Sequence, residues 1–220
     1  MIGDKDHAVR MDSVYRLQRH VYDFTRKYYL FGRDQLIERL ELPGDGQGTS
    51  VLEIACGTGR NLALVNRAWP KASLFGIDIS AEMLKTARAR LGPSCAIALA
   101  DATNFDPEVI FGRRHFDRII MSYCASMIPP WREAIAHAAG MIAPNGSLHI
   151  VDFGSMEGLP LPVRSLLRFW LARFHVTPRS DLQAAARHFA MSKRLTCNEG
   201  QGIAGYYQTI SLFNAKEAGL

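Results

Sequence analysis

The chain contains no Cys-x-x-Cys pair, no apolar run long enough to cross a bilayer, no lysine and arginine cluster, and no third glycine in its glycine-rich turn. Each absence excludes something. The four cysteines, Cys56, Cys95, Cys124 and Cys197, are scattered, and three of them fall in or beside apolar stretches. That suits free thiols in a reducing compartment, and no metal site is expected. Without a signal peptide or a membrane span, the chain is expected in the cytoplasm, free or peripheral on a membrane. The net charge of +5 is modest, and the arginines lie spread over helices with no motif built around stacking aromatics. Nucleic acid is therefore not the expected partner, whereas an anionic membrane surface is. A length of 220 residues is read as one domain over 1–220 with a substantial core.

The missing third glycine bears most on function. Ser50 to Ile54 is a short, apolar, β-branched run that predicts a buried parallel strand. Gly57 and Gly59 turn the backbone, and Leu62 to Trp69 carries helical spacing. Strand, glycine turn and helix form the nucleoside-binding edge of an open α/β sheet, and Asp78 ends the next strand where a carboxylate can take ribose hydroxyls. A dinucleotide site needs a further glycine so that pyrophosphate can reach the helix N-terminus, and Leu62 stands there instead. Glu53 inside the first strand suits a ligand that carries cationic groups rather than phosphates. S-adenosylmethionine, with a ribose, an adenine, an ammonium and a sulfonium, is such a ligand.

The segment Glu53-x-Ala55-x-Gly57-x-Gly59 resembles the first motif of the class I S-adenosylmethionine-dependent methyltransferases, with Ala55 in the first glycine position. Alanine is small enough to predict a tighter fit without loss of binding. The resemblance implies a cofactor site made by Glu53, Ala55, Gly57, Gly59, Asn61, Asp78, Ile79, Asp101, Ala102 and Ser122, with Arg33 added from the N-terminal part. Asp101 falls where the class places a side chain on the adenine amino group, and Ala102 where it offers a backbone N–H.

The rest of the chain predicts an α/β fold. Its core is a Rossmann-like doubly wound sheet of mainly parallel strands, with N-terminal helices as a lid and a C-terminal antiparallel hairpin. Residues 10–45 are expected to form the helical cap, with Val14, Leu17, Val21, Phe24 and Tyr28 as one stripe and Tyr15, Tyr22 and Tyr29 beside it. These tyrosines either pack at a half-buried edge or wall an active site. Helices are expected from Arg33 to Leu40, after the Ser80 cap to Leu91, from Pro130 to Ala143, and after an Asp181 cap to Met191. Further strands are expected at Ser73–Asp78, Cys95–Ala100, Phe116–Met121 and Ser147–Val151, the last entered through an Asn145-Gly146 turn. Arg194–Glu199 and Gly205–Phe213 predict the closing hairpin.

Residues 155–180 are expected to carry specificity. Val163, Leu166, Leu167, Trp170, Leu171 and Phe174 predict one helical face, with Arg164 and Arg168 opposite. A basic amphipathic helix with an aromatic face fits a membrane surface, and it fits a lid helix over a core equally.

Four segments narrow the resemblance: Tyr22-Asp23-x-Thr25-Arg26-Lys27-Tyr28-Tyr29-Leu30-x-Gly32-Arg33-Asp34, Ser126-Met127-Ile128-Pro129, His149-Ile150-Val151-Asp152-Phe153-Gly154 and Ala172-Arg173-Phe174-His175-Val176-Thr177-Pro178-Arg179. With the glycine turn, they look like the bacterial betaine-lipid methyltransferases over nearly the whole chain, 15–213. Those enzymes methylate the amino group of diacylglyceryl-homoserine three times, giving diacylglyceryl-trimethylhomoserine. The resemblance implies that lipid as substrate, a place on the inner face of the cytoplasmic membrane, and the enzyme that makes the homoserine lipid as a partner. Methyl transfer is an in-line displacement, so the protein's work is to position the amine and exclude water. Aromatic faces suit the growing quaternary cation, which makes Tyr22, Tyr29, Tyr123 and Trp170 cage candidates. Arginine suits the homoserine carboxylate, which makes Arg179 and Arg33 candidates. His175 and His20 are either proton acceptors or structural. Other readings are a class I methyltransferase for a different small-molecule or lipid amine or hydroxyl, and a cofactor-binding subunit without turnover.

Overall fold

A computed structural model describes residues 30–214. The helix expected over the tyrosine stripe, with His20, Tyr22 and Tyr29, lies outside the described residues. Of the N-terminal cap, the structure describes a short helix, α1 (Arg33–Glu38).

The centre is a seven-stranded sheet. Strand β1 (Ser50–Ile54) is buried at every position, because it pairs in parallel with β2 (Ser73–Asp78) on one side and β4 (Phe116–Ser122) on the other. Helices α2 (Arg60–Ala68) and α3 (Ala81–Leu91) connect β1, β2 and β3 (Cys95–Leu99). Helix α5 (Trp131–Gly140) leads from β4 to β5 (Ile142–Phe153), and α6 (Leu161–Ala172) and α7 (Leu182–Lys193) lead on to β6 (Thr196–Gln201) and β7 (Tyr207–Phe213). The spatial order is β3-β2-β1-β4-β5-β7-β6. Strand β7 runs antiparallel between β5 and β6, which is the expected closing hairpin.

Alternate residues of the strands feed two cores, as a sheet covered on both faces requires. Leu52, Ile54, Ile119 and Met121 pack with Ile135 of α5 and Leu182 of α7 on one side. Val51, Ile120 and Val151 pack with Leu62 of α2, Leu84 of α3 and Leu171 of α6 on the other. Chain order reverses between β1 and β4, and the crevice outside the carboxyl ends of these two strands is where such sheets bind ligands.

Three local expectations change. A short helix, α4 (Pro107–Phe111), forms in the β3–β4 crossover; Asp106 caps it by accepting the N–H groups of Glu108 and Val109, and Gly112 ends it at φ +68°. Its single turn is too brief for apolar periodicity to reveal. Asn145-Gly146 does not precede β5 but lies within it, where the pairing with β4 shifts register. Asn145 takes φ +63° there, and a Cβ on Gly146 would come within 3.0 Å of the Phe116 and Asp117 carbonyl oxygens. Asp181 precedes α7 without a side-chain cap, because its carboxylate is held by Arg132.

Helix α6 divides its apolar stripe. Leu171 is buried, and Leu167, Trp170 and Phe174 pack partly against the core. Val163 and Leu166 remain exposed at 50% and 70%, and Leu161 and Phe169 extend that exposed edge at 67% and 65%. Arg168 folds back to donate to the Ser155 carbonyl at 3.1 Å. The helix is thus docked by one edge and apolar to solvent along another.

Candidate active site

The site begins where β1 ends. The backbone turns through Ala55, Gly57 and Gly59, all with positive φ, and Cys56 N–H extends the β1–β2 pairing to the Ile77 carbonyl at 2.8 Å. The two glycines have different reasons to be there. A Cβ on Gly57 would meet open space, whereas one on Gly59 would lie 2.7 Å from Leu91 Cδ1 and 3.2 Å from Ala87 Cβ. Gly57 therefore borders the ligand space, and Gly59 lets α2 pack against α3.

A cleft of about 280 Å³ opens at this turn, lined by Leu30, Arg33, Glu53, Ala55, Cys56, Gly57, Thr58, Arg60, Asn61, Arg90 and Ser122. The structure thus brings six predicted residues together: Arg33, Glu53, Ala55, Gly57, Asn61 and Ser122. Glu53 is 2% exposed. Asn61 Nδ2 donates to its Oε1 at 2.7 Å, while Oε2 has no hydrogen-bond partner among the described residues. Burial pushes the Glu53 carboxyl up to about 8, with the Asn61 bond and the Arg33 guanidinium acting in the opposite direction. Ser122 Oγ, at the end of β4, is likewise buried without a partner among the described residues. A buried carboxylate oxygen lacking a donor is costly unless a ligand supplies one. The residues therefore fit an ammonium-bearing ligand.

The other cofactor candidates sit on adjoining strand ends, outside this lining. The Asp78 carboxylate is 8% exposed, accepting Gly57 N–H at 2.8 Å through Oδ2 and Ser80 N–H at 2.9 Å through Oδ1. It ties the glycine turn to the start of α3. Ile79 follows it. Beyond β3, Asp101 Oδ1 accepts the Thr103 N–H at 2.8 Å and its hydroxyl at 2.6 Å, and Ala102 packs partly against the core.

The acceptor-side candidates are more dispersed. Tyr123 is 3% exposed, set edge-on to Phe153 at 4.7 Å, and its hydroxyl donates to the Phe31 carbonyl at 2.7 Å. Burial raises that hydroxyl far above the usual tyrosine range. Its ring is therefore enclosed by protein and does not face the cleft as a cage wall. Trp170 is partly buried with its ring 5.0 Å from Phe174. Arg179 donates through Nε to Ala125 O and through Nη2 to Ile128 O, each at 3.2 Å. That loop is also held by the buried Asp152, whose Oδ2 accepts Ser126 N–H at 3.0 Å and whose carboxyl burial raises to about 6. His175 is exposed in a left-handed turn after α6.

Leu30, Thr58, Arg60 and Arg90 line the cleft without having been expected from the sequence as site residues. Arg60 adjoins the glycine turn and pairs with Asp34 at 2.8 Å, so its position in the chain was a signal. Arg90 lies a helix away in sequence and reaches Thr58 O and Oγ1 at 2.9 Å only through the fold. Among the described residues no group of three or more His, Cys, Asp or Glu side chains could hold a metal ion.

Residues 51–146, less than half of the chain, match the family described as "Methyltransferase domain". Over these residues the chain is similar to that methyltransferase domain family. The chain is 33% identical over 100 residues to a trans-aconitate 2-methyltransferase of Escherichia coli, covering 46% of this chain and 37% of the relative. It is 35% identical over 117 residues to a trans-aconitate 2-methyltransferase of Methylobacterium radiotolerans, covering 53% and 42%. The chain thus spans about two fifths of the length of these curated relatives. In fold, the chain is similar to the plantazolicin methyltransferase BpumL solved with S-adenosylhomocysteine, at TM-score 0.69 and 17% identity over 96% of this chain and 98% of that one. It is also similar to phosphoethanolamine N-methyltransferase 2 of Haemonchus contortus solved with S-adenosylmethionine, at TM-score 0.67 and 13% identity over 84% and 52%. The family match to the methyltransferase domain ends before α6, so it does not extend to the exposed apolar edge. No described helix is long and apolar enough to cross a membrane.

Proposed function

We propose that the chain is an S-adenosylmethionine-dependent N-methyltransferase that trimethylates the amino group of diacylglyceryl-homoserine while resting on an anionic membrane surface. The observation that carries the methyltransferase part is the buried Glu53 Oε2 without a donor, facing a cleft beside Gly57. When bound, S-adenosylmethionine supplies the electrophilic methyl group. Glu53 and Asn61 would hold its ammonium, Arg33 its carboxylate, and Asp78 its ribose hydroxyls, with Asp101 and Ala102 toward the adenine. Glu53 and Arg33 lie close enough for their charges to couple, so the cleft offers opposite charges to a zwitterion.

The lipid part rests on α6. Its exposed edge of Leu161, Val163, Leu166 and Phe169 matches an acyl-bearing substrate met at a membrane, and Arg164 on the same helix suits anionic headgroups. Arg179 keeps N–H groups beyond those spent on Ala125 and Ile128, which suits the homoserine carboxylate. Tyr22 and Tyr29 are the proposed aromatic walls for the methylated nitrogen. The enzyme that supplies the homoserine lipid is a proposed partner at the same surface.

A second reading is favoured by the names of the curated relatives: methylation of a soluble small molecule such as trans-aconitate. One assay separates the two. The protein is incubated with S-adenosylmethionine and either diacylglyceryl-homoserine in anionic vesicles or soluble trans-aconitate, and products are read by mass. Mono-, di- and trimethylated lipid is the expected result. Turnover with trans-aconitate alone would overturn the lipid reading.

A further inference from the structure

The cleft owes two of its walls, Leu30 and Arg33, to the segment that enters α1. Leu30, Leu36 and Ile37 bury that segment's apolar side chains in the core. Gly32 caps α1 in the left-handed region at φ +78° with no side-chain cap bond, and Arg33 Nε donates to the Leu30 carbonyl at 3.1 Å, closing a tight local turn. From outside, Asp34 pairs with Arg60 of α2 at 2.8 Å, Phe31 packs edge-on against Tyr206 at 5.3 Å, and two further contacts come from the sheet. From the end of β4, the Tyr123 hydroxyl donates to the Phe31 carbonyl at 2.7 Å. From the start of β7, the Tyr207 ring lies so close to Gly32 that a Cβ there would be 2.6 Å from it, and the Tyr207 hydroxyl donates to Gln35 Oε1 at 3.0 Å.

Tyr123 is well placed to act as the fixed end of this clamp. It follows Ser122 directly, its N–H continues the sheet to the Val151 carbonyl at 2.7 Å, and it holds φ +54°. A residue anchored by the sheet and enclosed by Phe153 has little freedom to follow a moving partner. The bond to Phe31 O therefore fixes the turn to the sheet, and with it the direction of the Arg33 side chain.

We propose that Tyr123 is a positioning residue for the cofactor's carboxylate: by holding the Phe31 carbonyl it aims Arg33 into the cleft. This rests on the reading of the cleft as the cofactor's amino-acid end. It assigns the tyrosine hydroxyl a role that neither a cage wall nor plain packing would have. The ring supplies burial, and the hydroxyl supplies register between β4 and α1.

The test compares two ligands by calorimetry. S-adenosylhomocysteine carries the amino-acid end, and 5′-methylthioadenosine shares the adenosine but lacks it. Tyr123→Phe keeps the ring, and is expected to weaken S-adenosylhomocysteine about five-fold, the scale of one buried hydrogen bond, while leaving 5′-methylthioadenosine unchanged. In an Arg33→Met background the same substitution is expected to have no further effect on either ligand. Equal weakening of both ligands, unchanged S-adenosylhomocysteine affinity, or full additivity with Arg33→Met would overturn the proposal. Should Tyr123→Phe not fold, Tyr207→Phe, which releases Gln35 on the other side of the turn, must show the same ligand selectivity at smaller amplitude or the proposal falls. Failure of the wild-type protein to bind S-adenosylhomocysteine would overturn the reading of the cleft, and the proposal with it.

Discussion

Asn61 donates a 2.7 Å hydrogen bond to one oxygen of Glu53 and leaves the other without a partner among the described residues, inside a cleft. The pair joins the first turn of α2 to the carboxyl end of β1, across the glycine turn. One arm of the carboxylate is fixed by the fold, and the other is left for a cationic ligand.

The first prediction follows from that pair. Burial raises the Glu53 carboxyl to about 8, so the free protein carries it largely protonated at neutral pH. An ammonium-bearing ligand favours the carboxylate, and binding must expel the proton. S-adenosylhomocysteine affinity is expected to rise from about pH 6 toward about pH 8, with close to one proton released at about pH 7. Calorimetry in buffers of different ionisation enthalpy reads that proton, and Glu53→Gln should abolish both effects. The same shift has a stability sign. The native state holds a proton that the unfolded chain loses, so this group's contribution falls as pH rises from about 4.5 to about 8. Glu53→Gln should flatten that slope in urea melts.

The second concerns Asp78. Its carboxylate accepts the N–H groups of Gly57 and Ser80, and it is proposed to take the ribose hydroxyls as well. Asp78→Ala should therefore weaken S-adenosylhomocysteine by roughly 2–3 kcal/mol and also lower the melting temperature. Wild-type affinity in a destabilised Asp78→Ala protein would assign the residue to the turn alone.

The third concerns Ala55, which stands at φ +55° in the first glycine position of the turn. An L-residue in the left-handed region costs about 1–2 kcal/mol, partly offset by the extra freedom glycine gives the unfolded chain. Ala55→Gly should stabilise the fold by about 0.5–1 kcal/mol without loss of S-adenosylhomocysteine binding. A lower melting temperature would contradict this.

The fourth concerns α6. Leu166 and Phe169 are 70% and 65% exposed, so their replacement by serine should leave thermal stability nearly unchanged. Sedimentation with anionic vesicles should drop, since each apolar side chain contributes about 1.5–3 kcal/mol when fully buried. Arg164→Ala should cost about 1 kcal/mol on anionic vesicles and nothing on neutral ones. Equal binding of both serine variants and wild type to anionic vesicles would remove this edge from the membrane.

The fifth concerns Tyr22 and Tyr29. A cation–π wall tolerates Phe and fails with Leu, and its contribution of about 0.5–2 kcal/mol belongs to the cationic product stages. Leu at either position should accumulate mono- or dimethylated lipid in the mass-resolved assay. Uniform slowing of all methyl transfers would leave these rings as packing.

Sequence alone determined the sheet, its hairpin, and the turn at Ala55 to Gly59, because these are local. A β-branched apolar run buried on both faces, a helix begun by Ser80 and a pair of positive-φ glycines each act over a few residues. The residues at the turn, Glu53, Ala55, Gly57 and Asn61, were legible for the same reason. Tertiary structure decided what could not be local. Tyr123 reads as an aromatic like Tyr22 or Tyr29 until the fold brings Phe31 O to its hydroxyl. Arg90 has no link to Thr58 until α3 packs on α2. The stripe on α6 has one periodicity, yet Leu171 is buried while Leu166 and Phe169 stay exposed, a division that the packing beneath the helix sets. Periodicity reports that a side chain is apolar, and the geometry of neighbouring elements determines whether anything is there to bury it.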